Sequence, residues 1–116
     1  ELFTKAEDLF QKGQYEEAIA NYKKTIGVDV SFFDAYFNLS LVYAQVNQID
    51  DAIACLKKAA GLRTNDASVH NNLGVLYFKK KQYSDAKVCF EKALSIDTHY
   101  TEAQNNLERV SGKMRN

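Results

Sequence analysis

The chain has no proline and no tryptophan, and only five glycines among its 116 residues. A β-sandwich needs turn signals at short intervals, so this scarcity argues against one and suits helices joined by short connections. Neither sign of charge is in excess. Fifteen Lys/Arg balance fifteen Asp/Glu, for a formal net charge of zero. Composition therefore makes no electrostatic case for nucleic acid or for an anionic membrane surface. No apolar run approaches the roughly 20 residues that span a bilayer, and no signal-peptide pattern is present. Membrane insertion is not expected. The chain opens on Glu1 rather than Met, which reads as a fragment of something longer.

What is present is ordinary for one domain with a real core: 46% hydrophobic and 26% charged residues. Chemistry is sparse. There is no glycine-rich phosphate loop and no nucleophile-elbow pattern. The two histidines, His70 and His99, have no metal-ligating partner three or four residues away. No catalytic residues, metal or cofactor are expected. Cys55 and Cys89 lie 34 residues apart. If they occupy equivalent sites in stacked units, about 8–10 Å separates them, beyond the roughly 7 Å that a disulfide bridges. Two reduced thiols and a cytoplasmic location follow as the expectation. The run Lys79-Lys80-Lys81 reads as a solvated helix end complementing the helix dipole, not as a nucleic-acid site.

The spacing of 34 recurs throughout. Ala18, Ala52 and Ala86 share it, as do Gly13, Asn47 and Lys81. So do Gln14, Gln48 and Gln82; Leu39, Leu73 and Leu107; and Asn38, Asn72 and Asn106. The units are 1–32, 33–66 and 67–100, followed by a half unit. Each reads as two helices. Tyr36, Leu39, Tyr43 and Val46 line one face of the first helix in the middle unit; Ala52, Ile53, Leu56, Ala59 and Ala60 line the second. The Gly13, Asn47 and Lys81 column suits a left-handed turn residue, Lys81 less comfortably than the others. Gly27 and Gly61 read as stops for the second helices. Tyr22, Tyr43, Tyr77, Tyr83 and Phe90 read as core. Residues 101–114 read as a capping helix with a narrow apolar stripe, opened by a capping box from Thr101 to Gln104.

This pattern resembles the tetratricopeptide repeat (TPR) family over essentially the whole chain. Leu73-Gly74, Tyr77, Tyr83, Ala86, Phe90 and Ala93 carry the resemblance in the third unit. Tyr36, Leu39-Ser40, Tyr43, Ala52, Leu56 and Ala59 carry it in the second, and Ala6, Leu9, Gly13, Tyr15, Ala18 and Tyr22 in the first. Val30, Thr64 and Thr98 stand where the family often has proline. Lys5 stands for leucine and Thr25 for alanine, so the leading turn of the first repeat is expected to be frayed or missing. The resemblance implies an all-α, right-handed α-solenoid of three helix–turn–helix repeats plus a C-terminal capping helix, one domain over 1–116.

The resemblance also implies a concave groove lined by the first helices. Its candidate peptide-binding residues here are Glu7 and Phe10; Phe37, Asn38 and Leu41; Asn71, Asn72, Val75 and Phe78; and Asn106. An amide offers both a donor and an acceptor, so the ladder Asn38, Asn72 and Asn106 could pair with a peptide backbone. Asparagine is a poor helix former, and three in one column ask for a reason. The family's clamp for C-terminal carboxylates is not reproduced: its places hold Phe3, Glu7, Asn38, Ser68 and Asn72, and Glu7 would repel a carboxylate. The expected function is a non-catalytic scaffold that holds an extended or helical peptide segment of a partner protein. The alternatives are self-association into a homo-oligomer, or a docking region of a larger enzyme such as a bacterial glycosyltransferase.

Overall fold

The structure, a computed structural model, describes residues 1–115. It is all-α. Seven helices follow one another: α1 (Leu2–Gln11), α2 (Tyr15–Val28), α3 (Phe33–Gln45), α4 (Ile49–Leu62), α5 (Ala67–Lys79), α6 (Tyr83–Ile96) and α7 (Thr101–Arg115). No strand occurs among the described residues. They fall into two compact units, the first ending at Leu62 and the second starting at Arg63. In the first, α1 packs on α2, α2 on α3 and α3 on α4. In the second, α5 packs on α6, and α7 lies against both.

The turn inside each repeat is set by one backbone device. Gly13, Asn47 and Lys81 have φ of 79°, 65° and 62°. At each, the left-handed residue and its successor close the helix. Gly13 N–H donates to Phe10 and Gln14 N–H to Leu9; Asn47 to Ala44 and Gln48 to Tyr43; Lys81 to Phe78 and Gln82 to Tyr77. This is the Schellman pattern, which satisfies carbonyls that the helix end leaves open. The column expected from the sequence is therefore realised, and Lys81 carries the strain that a Cβ brings to this region.

Gly27 and Gly61 stand next to last in α2 and α4, near the helix ends as expected, but neither takes the left-handed conformation that would cap the helix. The turns between repeats instead use carboxylates. Asp29 Oδ1 accepts from Ser31 N–H (3.0 Å) and Oγ (2.8 Å), Asp66 Oδ1 from Ser68 N–H (3.1 Å), and Asp97 Oδ1 from His99 N–H (3.1 Å). Such Asx turns bend a chain without proline.

A second column fastens these loops. The Tyr36 hydroxyl donates to the Val30 carbonyl at 3.1 Å, and Gln104 Nε2 to the Thr98 carbonyl at 2.9 Å. His70 bonds the Thr64 backbone. Tyr36, His70 and Gln104 are 34 apart, and so are their acceptors. Three different side chains thus perform one task, six residues back along the chain. The expected capping box does not form: Thr101 is already the first residue of α7, and the Gln104 N–H that its hydroxyl would have to accept from goes to the Tyr100 carbonyl.

The cores follow the repeat. Tyr22, Leu56 and Phe90, one per repeat, are nearly or fully buried. Each such burial contributes roughly 1.5–3 kcal/mol. Gly74 is there because a Cβ would overlap the Phe90 ring. The same column holds Ala6 and Ser40, also buried. Thr25 fits its core place by donating its hydroxyl to the Asn21 carbonyl at 2.9 Å. α1 is helical from Leu2 to Gln11, so no fraying is seen at Lys5.

Candidate functional site

In the first unit, the candidates sit on α1 and α3. Phe10 packs edge-on to Tyr15 at 5.9 Å, and Phe37 stacks on Phe33 at 5.8 Å. Both are half-buried, as are Glu7 and Asn38, while Leu41 is 38% exposed. Asn38 and Glu7 converge on Tyr22. Burial pushes the Tyr22 hydroxyl above its usual range, Glu7 adds to this, and the nearby Asn38 amide works against it. The amide is close enough to bias that titration, yet no hydrogen bond of ordinary geometry reaches the buried Tyr22 oxygen.

The second unit places its asparagines differently. Asn71 is 0% exposed. Its Oδ1 accepts a 3.0 Å bond from Asn106 Nδ2, which ties α5 to α7. Asn71 Nδ2 is buried with no hydrogen-bond partner, though the half-buried Tyr100 hydroxyl lies near enough for the amide to counter part of its upward shift. An unmet buried donor costs roughly 1–3 kcal/mol. Asn72, one residue on, is half-buried and outside this pair.

Three candidates meet in one cleft. Val75, Phe78 and Asn106 line it with Lys79, Phe90 and Arg109, enclosing about 160 Å³. Phe78 is braced by Tyr83 at 5.3 Å, 64° between planes, nearly the geometry of Phe10 on Tyr15 two repeats earlier (63°). That ring pair was missed in the sequence, although its signal is there: an aromatic three residues before the left-handed turn residue and another two after it. A larger hollow of about 590 Å³ lies among the turns Arg63–Ala67, Ile96 and Asp97, away from every candidate.

Among the described residues, no three His, Cys, Asp or Glu side chains gather as metal ligands, and no helix is long and apolar enough to cross a membrane. Burial, then Asp51, pushes the Cys55 thiol up to about 11, so it is not an activated nucleophile.

Helix pairs repeating at 34 residues, each closed by the same turn, define a helical-repeat protein. Family models agree on which. A tetratricopeptide repeat model matches residues 67–100, and a TPR repeat model matches 6–47 and 41–81. The chain belongs to the tetratricopeptide repeat family. No curated protein sequence matches it. Among solved structures it is similar to the first TPR of Spaghetti (RPAP3) bound to the HSP90 peptide SRMEEVD, at 23% identity and TM-score 0.93, over 99% of this chain and 91% of that one. It is also similar to MamA, at 28% identity and TM-score 0.89, over 94% of this chain but only 64% of MamA. The Arabidopsis OM64 TPR domain follows at 16% identity and TM-score 0.86, over 94% and 90%.

Proposed function

We propose that this chain is a non-catalytic interaction module that holds a peptide segment of a partner protein on the faces of its first helices. One observation carries the reading. In the first unit Phe10, Phe37, Leu41 and the Asn38 amide are left half-buried or exposed; in the second Asn72 is half-buried, and half-buried Val75, Phe78 and Asn106 share one cleft. Apolar anchors next to paired donors and acceptors are what an extended or helical segment needs. A fold neighbour bound to an HSP90 peptide supports the use of this fold for peptides. Glu7 still argues against a terminal carboxylate at its place. The test is Asn72→Ala: a peptide partner should bind several-fold more weakly while the helical melt stays within a degree or two. Unchanged affinity would count against the amides.

Self-association is the second reading, favoured by a different place. Leu2, Phe3, Thr25, Val28 and Phe32 line a cleft of about 290 Å³ in the first unit, with Val28 81% and Val30 65% exposed. Sedimentation that finds only monomer at high concentration would remove it.

A further inference from the structure

We propose that the cleft between α5, α6 and α7 receives a leucine- or methionine-sized side chain from a partner segment carrying carboxylates on both sides of it. This rests on the peptide-binding reading and narrows it. The floor is apolar: Val75, Phe78 and Phe90, with Phe90 held 1% exposed against Gly74. The cleft's 160 Å³ suits one aliphatic side chain, not a helix or an indole. The rim is cationic. Lys79 and Arg109 flank the opening, and neither is ion-paired among the described residues. Asn106 completes the rim with its Oδ1 still open as an acceptor, since Asn71 uses its Nδ2.

The acids nearby do not cancel this rim. Glu108 adjoins Arg109 in sequence, but helix neighbours point to different sides. Glu102 acts on Tyr100, one turn away from the cleft, and does not line it. The second unit as a whole is basic. Residues 63–116 carry nine Lys/Arg against six Asp/Glu, while residues 1–62 carry six against nine. The zero net charge of the chain hides this difference. A carboxylate-bearing segment would therefore be drawn to the second unit and repelled by the first.

The test uses the whole chain and four fluorescein-labelled peptides in one Gly/Ser background, with Asp-Leu-Glu, Asn-Leu-Gln, Asp-Ala-Glu or Lys-Leu-Lys at the centre. Asp-Leu-Glu should bind tightest, about tenfold better than Asn-Leu-Gln and Asp-Ala-Glu, and should weaken as salt rises. Lys79→Glu with Arg109→Glu should invert the preference toward Lys-Leu-Lys, with circular dichroism checking the fold. If that double variant does not fold, Arg109→Gln alone should lower Asp-Leu-Glu affinity about threefold. Equal binding of all charges, or a preference unmoved by these variants, overturns the subsite and leaves the broader reading standing. No binding of any peptide to any face overturns both. Wild-type dimerisation lost in Arg109→Glu would make a second copy the occupant and overturn a separate partner.

Discussion

The two units solve the same packing problem with different parts. In the first, the small buried residue of the first helix is Ala6 or Ser40, and the large buried residue sixteen positions on, in the second helix, is Tyr22 or Leu56. In the second, Gly74 gives up its Cβ and Phe90 takes the space. The asparagine column differs as well. Asn38 borders a buried phenol, whereas Asn106 is bonded across to Asn71. One repeat register can thus carry a loose polar contact in one unit and a fixed one in the other. The fixed one stands beside the cleft that meets the cationic rim.

The sharpest way to break this comparison is at Phe90. Phe90→Ala should destabilise the second unit by about 4 kcal/mol, through lost burial and the cavity left behind. Gly74→Ser should cost about 2 kcal/mol by overpacking. Adding Phe90→Leu to Gly74→Ser imports the Ser40 and Leu56 pair of the middle repeat and should recover most of that loss. Urea melts of the single and double variants measure the coupling.

Next comes the amide pair. Asn106→Ala should cost about 2 kcal/mol, because it strands a fully buried Asn71 carbonyl. Asn38→Ala, at a half-buried place with no such bond, should cost less than half as much in the same melt. Smaller still is the turn column. Lys81→Gly relieves a left-handed Cβ and should stabilise by about 1 kcal/mol, whereas Gly13→Ala should destabilise by a similar amount.

The smallest effect is a pH slope. Burial, then Lys92, holds His70 below the ordinary histidine value, partly opposed by its bond to the Thr64 backbone and by Asp66. The fold thus prefers neutral His70. Its contribution is complete above the ordinary value and is lost as pH falls through that value toward the folded one. His70→Gln, which copies Gln104 and keeps a donor, should flatten the fall in Tm between pH 7 and 5 relative to wild type. An unchanged slope would mean that His70 does not titrate with folding.

Much of the fold was legible because periodicity reports burial. The left-handed column, the alanines at 18, 52 and 86 and the core aromatics Tyr22, Tyr43 and Phe90 follow from a repeat that must pack on itself; Tyr77 and Tyr83, also read as core, are only half-buried against it. The loop fasteners were not legible. Tyr36, His70 and Gln104 share a donor but no size or class, and only the carbonyl six residues back unites them. Gln104 also satisfied a capping pattern by composition, but its N–H bonds the Tyr100 carbonyl inside the helix start, and its side-chain amide donates to the Thr98 carbonyl. Gly27 and Gly61 misled in part: they fall in the last turn, where glycine's helical cost is small, but the turns that follow are made by other residues. Asn71 and Asn72 are chemically identical neighbours. A helix turns about 100° between them, which buries one and leaves the other half open.

The most direct measurement is an amide-resolved NMR titration of the whole chain with extended peptides, following side-chain as well as backbone amides. Binding on the first-helix faces predicts shifts at Asn72, Phe78, Phe37 and Asn38, with Asn71 nearly silent because it is sealed. Shifts confined to α2, α4 and α6, or to the cleft of Leu2, Phe3, Val28 and Phe32, would contradict it.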